Sequence, residues 1–197
     1  MRICLEKGVV VWLTGLPGSG KTTIARGVAG LLEEEGYRVE VIDGDWARKT
    51  VSEGAGFTRE ERLRHLRRIA WIARLLARNG VVVLASFVSP YREARRMVRE
   101  IVEEEVPFLE VYVKASIETV IKRDPKGLYR RALKGEIKHM TGIDDPYEPP
   151  ESPWLIVDTE AQTPEESIGL LYAKLKEVIS TLPEVCRGER DVREGEG

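Results

Sequence analysis

The stretch "VVVWLTGLPGSGKTT", residues 9–23, decides the fold. Gly15-Leu16-Pro17-Gly18-Ser19-Gly20-Lys21-Thr22, with Thr23 after it, matches the pattern G-x-x-x-x-G-K-[ST] at every position. The pattern has a physical basis. Glycines let successive N–H groups turn inwards around a β-phosphate. The lysine reaches β- and γ-oxygens, and the Thr22 hydroxyl is a Mg²⁺ ligand. Before the loop, Val9 to Gly15 is a short apolar run, as in a buried parallel strand. After it, Ile24, Val28, Leu31 and Leu32 recur at helical spacing and Gly36 ends the pattern. Such a helix turns its positive end to the loop. Strand, loop and helix together predict a nucleotide site.

Working outward, strands and helices alternate. "YRVEVID" (37–43), "VVVLASF" (81–87), "FLEVYV" (108–113) and "PWLIVDT" (153–159) read as further strands. Helices are expected over 58–80, where Thr58 and Glu61 form a capping box. Others are expected over 90–105 with Pro90 in the first turn, over 116–123, and over 163–182 with Thr163 as N-cap and Pro164 next. This α/β alternation implies a parallel sheet covered on both faces. Residues 1–182 read as one domain, which suits a chain of 197 residues. Residues 183–197, polar and Gly-rich, read as a disordered tail.

The segment 124–152 breaks the alternation. It is rich in Gly, Pro and charge, with five basic residues from Lys126 to Lys138 and a short helical piece, Leu128 to Leu133. Loops this long in compact domains are commonly lids. Tyr129, Ile137, Met140, Ile143 and Tyr147 supply more apolar matter than a disordered insertion carries.

Ligands of open α/β sheets bind at the carboxyl ends of strands. "DGD" (43–45) stands at such an end. Two carboxylates flanking a glycine suit a general base and a Mg²⁺ partner. No acid ends the third strand, so the metal partner is expected at Asp43 or Asp45. Arg48 and Arg62 flank this corner, and guanidinium forks there suit an anionic acceptor. The other arginines of 58–80 and 90–105 read as solvated faces.

Composition limits the partners. The net charge of −2 gives no field that recruits nucleic acid or membrane. No apolar run has spanning length, and Met1 to Gly8 lacks the form of a signal peptide. A cytoplasmic protein is expected. Cys4 and Cys186 have no metal spacing and read as free thiols. One Asn and one Gln against 32% charged residues is a hyperthermophile signature.

The phosphate loop alone is shared with other small-molecule kinases of the nucleoside-monophosphate kinase type and with nucleotide-binding regulators. The absence of N-K-x-D argues against a GTP switch. A longer set of motifs is more specific. "GLPGSGKTT", "DGDWAR" (43–48), "GFTREER" (56–62), "LRRIAWIARLLARNGVVVLASFVSPYR" (66–92), "RDPKGLYRRALKGEI" (123–137), "TGIDDPYE" (141–148) and "DT" (158–159) resemble, in order and spacing, the adenylylsulfate (APS) kinase family. The resemblance implies a three-layer P-loop NTPase fold. Its five-stranded parallel sheet would run in order 2-3-1-4-5, with helices on both faces and a lid. It implies phosphorylation of APS by ATP with Mg²⁺.

The resemblance also implies roles. Lys21 and Mg²⁺, held by Thr22 and Asp43, gather charge on the γ-phosphate, and Asp45 takes or orients the acceptor proton. Arg48, Arg62 and the Val88-Ser89 backbone hold APS, with Phe57 against its adenine and His65 nearby. The lid supplies Lys126, Lys138, His139 and Met140. The ATP adenine lies between Arg123 and the loop Thr159 to Gln162. Three positions depart from the family's usual residues: Trp46 and His65, where Asn is usual, and Met140, where Phe is usual. Met140 is expected to cover the APS base opposite Phe57. A phosphorylated intermediate on Ser89 comes with the resemblance, but a serine nucleophile needs a base in reach, and the sequence puts neither His65 nor His139 there. Ser89, followed by Pro90, is instead expected to anchor the next helix and position APS. The oligomeric state is not legible from the sequence, and a homodimer is left as an open expectation.

Overall fold

Five strands form the centre of the computed structural model, which describes residues 3–185. They are β1 (Val10–Thr14), β2 (Val39–Asp43), β3 (Val82–Ser86), β4 (Phe108–Lys114) and β5 (Leu155–Asp158). All neighbours pair in parallel, in the order β2-β3-β1-β4-β5. Helices α1 (Lys21–Glu34), α2 (Gly44–Lys49), α3 (Arg59–Ala77), α4 (Arg92–Glu103), α5 (Ile117–Arg123), α6 (Leu128–Leu133) and α7 (Pro164–Ile179) complete the domain. The expected strand order and α/β class are therefore present.

Strand periodicity divides the core. Val10 and Trp12 face α3 and α4, while Val11 and Leu13 face α1 and α7. Ala70, Ala73 and Ala77 of α3 and Ala94 of α4 are fully buried, and their small side chains leave room for Trp12. Trp12 stacks on Phe87 with centroids 5.3 Å apart. The opposite layer is aliphatic, with Val28 and Leu32 of α1 against Leu171 and Leu175 of α7. The expected capping box forms at Thr58–Glu61, and the expected N-cap Thr163 makes a second one with Glu166.

Several local expectations change. Residues 44–49, where no helix is expected from the sequence, form α2, because the Asp43 side chain accepts the N–H groups of Asp45 and Trp46 and caps a short helix. Helix α4 starts at Arg92 with Tyr91 as N-cap, so Pro90 precedes the helix and is not in its first turn. At the expected tail, Glu184 pairs with Leu5 in an isolated antiparallel bridge. Residues 186–197, with Cys186, lie outside the described residues; Cys4 is a free thiol. No helix among the described residues is long and apolar enough to cross a membrane.

The segment 124–152 divides in two. Tyr129, Ala132 and Met140 join Ala115 and Val120 in a third apolar cluster beside the phosphate loop. Residues 145–149 form a strap fastened to the body: Glu148 N–H donates to Pro90 O at 2.8 Å, and its carboxylate accepts Arg92 N–H at 2.7 Å. The Tyr147 hydroxyl is 3.0 Å from that of Thr14 on β1. The expected lid is thereby narrowed, because residues 145–149 are fastened to the body.

Candidate active site

The loop after β1 needs its glycines. A Cβ on Gly15 would lie 2.4 Å from Val113 O, and Gly20, the N-cap of α1, has φ +99°. Lys21 is buried, and its ammonium donates to Gly15 O at 2.9 Å and Leu16 O at 2.8 Å. Burial, and secondly the Lys126 charge, pull its pKa down to about 7. The lysine folds over the loop that a phosphate would fill.

The sheet register builds the corner where a metal is expected. Asp43 pairs with Ser86 across β2 and β3, and Thr22 Oγ1 lies 3.0 Å from Ser86 Oγ. Ser86 lies within the motif 66–92 but has no expected role there; the strand order brings it to Thr22 and Asp43. Asp43 Oδ1 accepts from Asp45 N–H at 3.1 Å and Trp46 N–H at 2.9 Å, while Oδ2 meets Arg26 at 3.1 Å. No group of three or more His, Cys, Asp or Glu suited to a metal occurs among the described residues. Mg²⁺ in phosphoryl-transfer sites takes one or two protein ligands besides phosphates and water. One hydroxyl and one carboxylate at this edge fit that set, with Arg26 exposed and free to swing from Oδ2.

Asp43 also aims Asp45. By capping α2 it leaves Asp45 in the first turn, exposed at the mouth of the site. There Asp45 is paired with Lys126, which comes from just before α6. The expected base and the expected lid cation are therefore each other's partners in the ligand-free protein.

On the base side, a cavity of about 370 Å³ is lined by Gly18, Gly20, Thr23, Arg123, Thr159 and Gln162. Arg123 donates to Thr159 Oγ1 at 3.0 Å and Thr159 O at 2.5 Å, so the two expected walls touch at this mouth.

The opposite wall holds Arg48, Phe57, Arg62 and His65. Arg48 lies 4.1 Å above the Phe57 ring and donates to Ala55 O at 2.8 Å. Phe57 is exposed. Arg62 is buried; it donates through Nε to Phe57 O at 2.8 Å and through Nη2 to His139 O at 2.6 Å. Burial lowers its pKa, and the neighbouring Asp145 opposes that shift. His65 is buried edge-on to Phe87, its Nδ1 without a partner. Burial first, then Arg48, Arg68 and Arg62, push its pKa to about 4, so it is neutral. Lys138 and His139 are exposed on the lid.

Ser89 and Met140 are held differently in the ligand-free protein from what their expected roles suggest. Ser89 is 2% exposed; its hydroxyl accepts from Trp12 Nε1 at 3.1 Å and donates to Phe87 O at 3.3 Å. Its carbonyl accepts from Arg95 at 2.6 Å, and the Val88 carbonyl accepts from Thr14 at 2.7 Å. The hydroxyl and these carbonyls are all engaged within the protein, and the N-cap of α4 is Tyr91 rather than Ser89. Its φ of +37°, uncommon for a residue with a Cβ, is what turns it inwards. Met140 is 6% exposed, and its side chain packs in the apolar cluster of the 124–152 segment.

Thr14, Tyr91, Arg95, Tyr129 and Asp145 shape the site without having been singled out for roles in it. The buried pair Arg95–Glu110, 2.8 Å apart, is the clearest case: it joins α4 to β4 directly behind Ser89. "DDPYE" offered a signal for Asp145 and Tyr147, though not for their partners.

Comparison with known proteins agrees with this geometry. The family model described as adenylylsulphate kinase matches residues 7–158. A probable adenylyl-sulfate kinase of Aeropyrum pernix is 73% identical over 177 residues, covering 89% of this chain and 97% of its own. An adenylyl-sulfate kinase of Halothermothrix orenii is 49% identical, over 87% of this chain and 91% of its own. The structure of the Mycobacterium tuberculosis APS kinase in complex with AMPPNP and APS superposes with a TM-score of 0.82 at 38% identity, covering 87% of this chain and 98% of that one.

Proposed function

The chain belongs to the adenylylsulphate kinase family, and we propose from that premise that it transfers the γ-phosphoryl group of ATP to the ribose 3′-hydroxyl of adenosine 5′-phosphosulfate, releasing ADP and 3′-phosphoadenosine 5′-phosphosulfate (PAPS). The observation that carries it is one mouth shared by two sites. Lys21 and the Thr22–Ser86–Asp43 edge stand on the phosphate side, the Arg48–Phe57–Arg62 wall on the other, and Asp45 beside the lid.

Phosphoryl transfer asks for positioning and charge stabilisation more than for covalent chemistry. The Lys21 ammonium leaves the Gly15 and Leu16 carbonyls for the β- and γ-oxygens and offsets charge developing there. Mg²⁺, bound with the nucleotide at Thr22 and Asp43, would supply further neutralisation. Asp45 is freed as Lys126 turns from it to the phosphates. Its carboxylate then accepts the 3′-hydroxyl proton as the oxygen–phosphorus bond forms and the bond to ADP breaks. Arg48 and Arg62 face the phosphosulfate, and the Phe57 ring offers a flat surface to the acceptor's base. The Ser89 hydroxyl, held by Trp12, has no part in a covalent step.

A coupled assay of ADP release tests the reading. APS should support turnover, with AMP, gluconate and shikimate as inactive controls. Turnover with a control acceptor and none with APS would make the protein another small-molecule kinase, and binding of ATP with no acceptor at all would make it a regulator.

A further inference from the structure

The acceptor wall contains one carboxylate that the reaction above leaves without a task. Asp145 accepts the Tyr91 hydroxyl on Oδ1 at 2.8 Å and on Oδ2 at 3.0 Å. Its Oδ2 lies 3.5 Å from Nη2 of Arg62, and both side chains are largely shielded from water. Tyr91 is 2% exposed. The turn that holds Asp145 is closed by its own backbone: Gly142 N–H donates to Asp145 O at 2.7 Å, and Asp145 N–H donates to Met140 O at 3.2 Å. Asp145 is therefore a rigid feature of the strap.

Its consequence lies on Arg62. A guanidinium has five N–H donors in one plane. Nε is engaged by Phe57 O and Nη2 by His139 O and Asp145, while Nη1 has no hydrogen-bond partner among the described residues. Arg48 shares this wall and its charge opposes that of Arg62. A buried cation without a counter-charge is costly, and a planar guanidinium engaged at both Nε and Nη2 cannot rotate freely. Asp145 is the carboxylate in contact with Arg62.

We propose that Asp145 is a positioning residue for the acceptor: together with Tyr91 it fixes the rotation of the Arg62 guanidinium, so that Nη1 is the donor edge left for the anionic phosphosulfate of APS. Through Nη2 the same arrangement ties that edge to the lid backbone at His139. The proposal rests on the kinase reading above, because the acceptor must be an anion.

Steady-state kinetics with each substrate varied separately test it. Asp145→Asn keeps the shape and a Tyr91 contact but removes the charge. It should raise KM for APS about tenfold or more, the scale of one charge-assisted hydrogen bond, while KM for ATP stays within about twofold. In an Arg62→Lys background, where the fork is already gone, Asp145→Asn should add little further. Tyr91→Phe, a milder change, should raise KM for APS by a smaller factor and also spare ATP. Equal effects on both substrates, or an undiminished Asp145→Asn effect in the Arg62→Lys background, would assign Asp145 a purely structural role and overturn the proposal. If Asp145→Asn does not fold, an unchanged APS KM in Tyr91→Phe overturns it instead. A wild type that forms PAPS while these variants behave normally defeats the positioning role alone. A wild type that forms no PAPS defeats the kinase reading, and the positioning role with it.

Discussion

The Tyr129 hydroxyl, at the start of α6, donates to the Pro17 carbonyl in the phosphate loop at 2.8 Å. This bond joins the lid directly to the element that grips ATP. Burial raises the phenol's pKa, so it stays a donor at any working pH. Tyr129→Phe removes one hydrogen bond, worth about 0.5–1.5 kcal/mol. The melting temperature should fall by no more than about 6 °C, while hydrogen exchange or proteolysis within 124–140 speeds up about two- to tenfold. Unchanged lid protection would mean that the apolar cluster alone holds the lid.

Asp45 and Lys126 neutralise each other across the open mouth. Asp45→Asn keeps the shape and removes the proton acceptor. Nucleotide binding should survive while turnover falls by about two orders of magnitude or more. Near-normal turnover would remove Asp45 from the mechanism.

Lys21 has a pKa near 7 in the ligand-free protein, lowered chiefly by burial. A bound phosphate favours the ammonium, so binding of magnesium-nucleotide near pH 7 should take up about half a proton. Calorimetry in buffers of different ionisation enthalpy measures this uptake, and Lys21→Arg should abolish it. The sign for stability is the reverse of a salt bridge's. The folded pKa lies below that of the unfolded chain, so protonating Lys21 opposes folding. That penalty is complete below about pH 7 and fades as the pH rises towards 10.5.

His65 shows the same sign at lower pH. It is neutral in the fold down to about pH 4, whereas in the unfolded chain it titrates near 6.5. Stability should therefore fall as the pH drops from 6.5 towards 4, with no further contribution below that. Denaturant melts of His65→Asn across this range should lack that part of the slope; an unaltered slope would place its origin elsewhere.

Met140→Phe looks from sequence like a gain, a ring restored above the acceptor base. The buried position of Met140 reverses the expectation. A larger, stiffer side chain in a packed cluster costs about 1–3 kcal/mol. APS binding should not tighten, and lid protection against proteolysis should drop. Tighter APS binding with ATP binding unchanged would show that Met140 does reach the base.

What could be read without coordinates was local or periodic. The phosphate loop is one contiguous segment whose chemistry is mostly backbone, so its glycines, Lys21 and Thr22 announce it. Strand and helix periods gave the alternation, and the family's motifs gave the strand order. Short α2 escaped because six residues are too few for a helical period, and its cause is one capping carboxylate.

The acceptor side is different in kind. Arg62 comes from α3, Tyr91 from the corner before α4, Asp145 from the strap and His139 from the lid. Their meeting depends on β3 lying between β2 and β1, so that the segments following β2 and β3 emerge at one edge. Sequence placed Ser89 near the acceptor, but only the fold could show its hydroxyl turned to Trp12, and only the lid's own packing shows Met140 inside it. Residue identity and spacing determined which chemistry this chain carries. Which donor stays free, and which side chain faces inwards, was decided by contacts between distant segments, because a hydrogen bond already made in the fold is unavailable to a substrate.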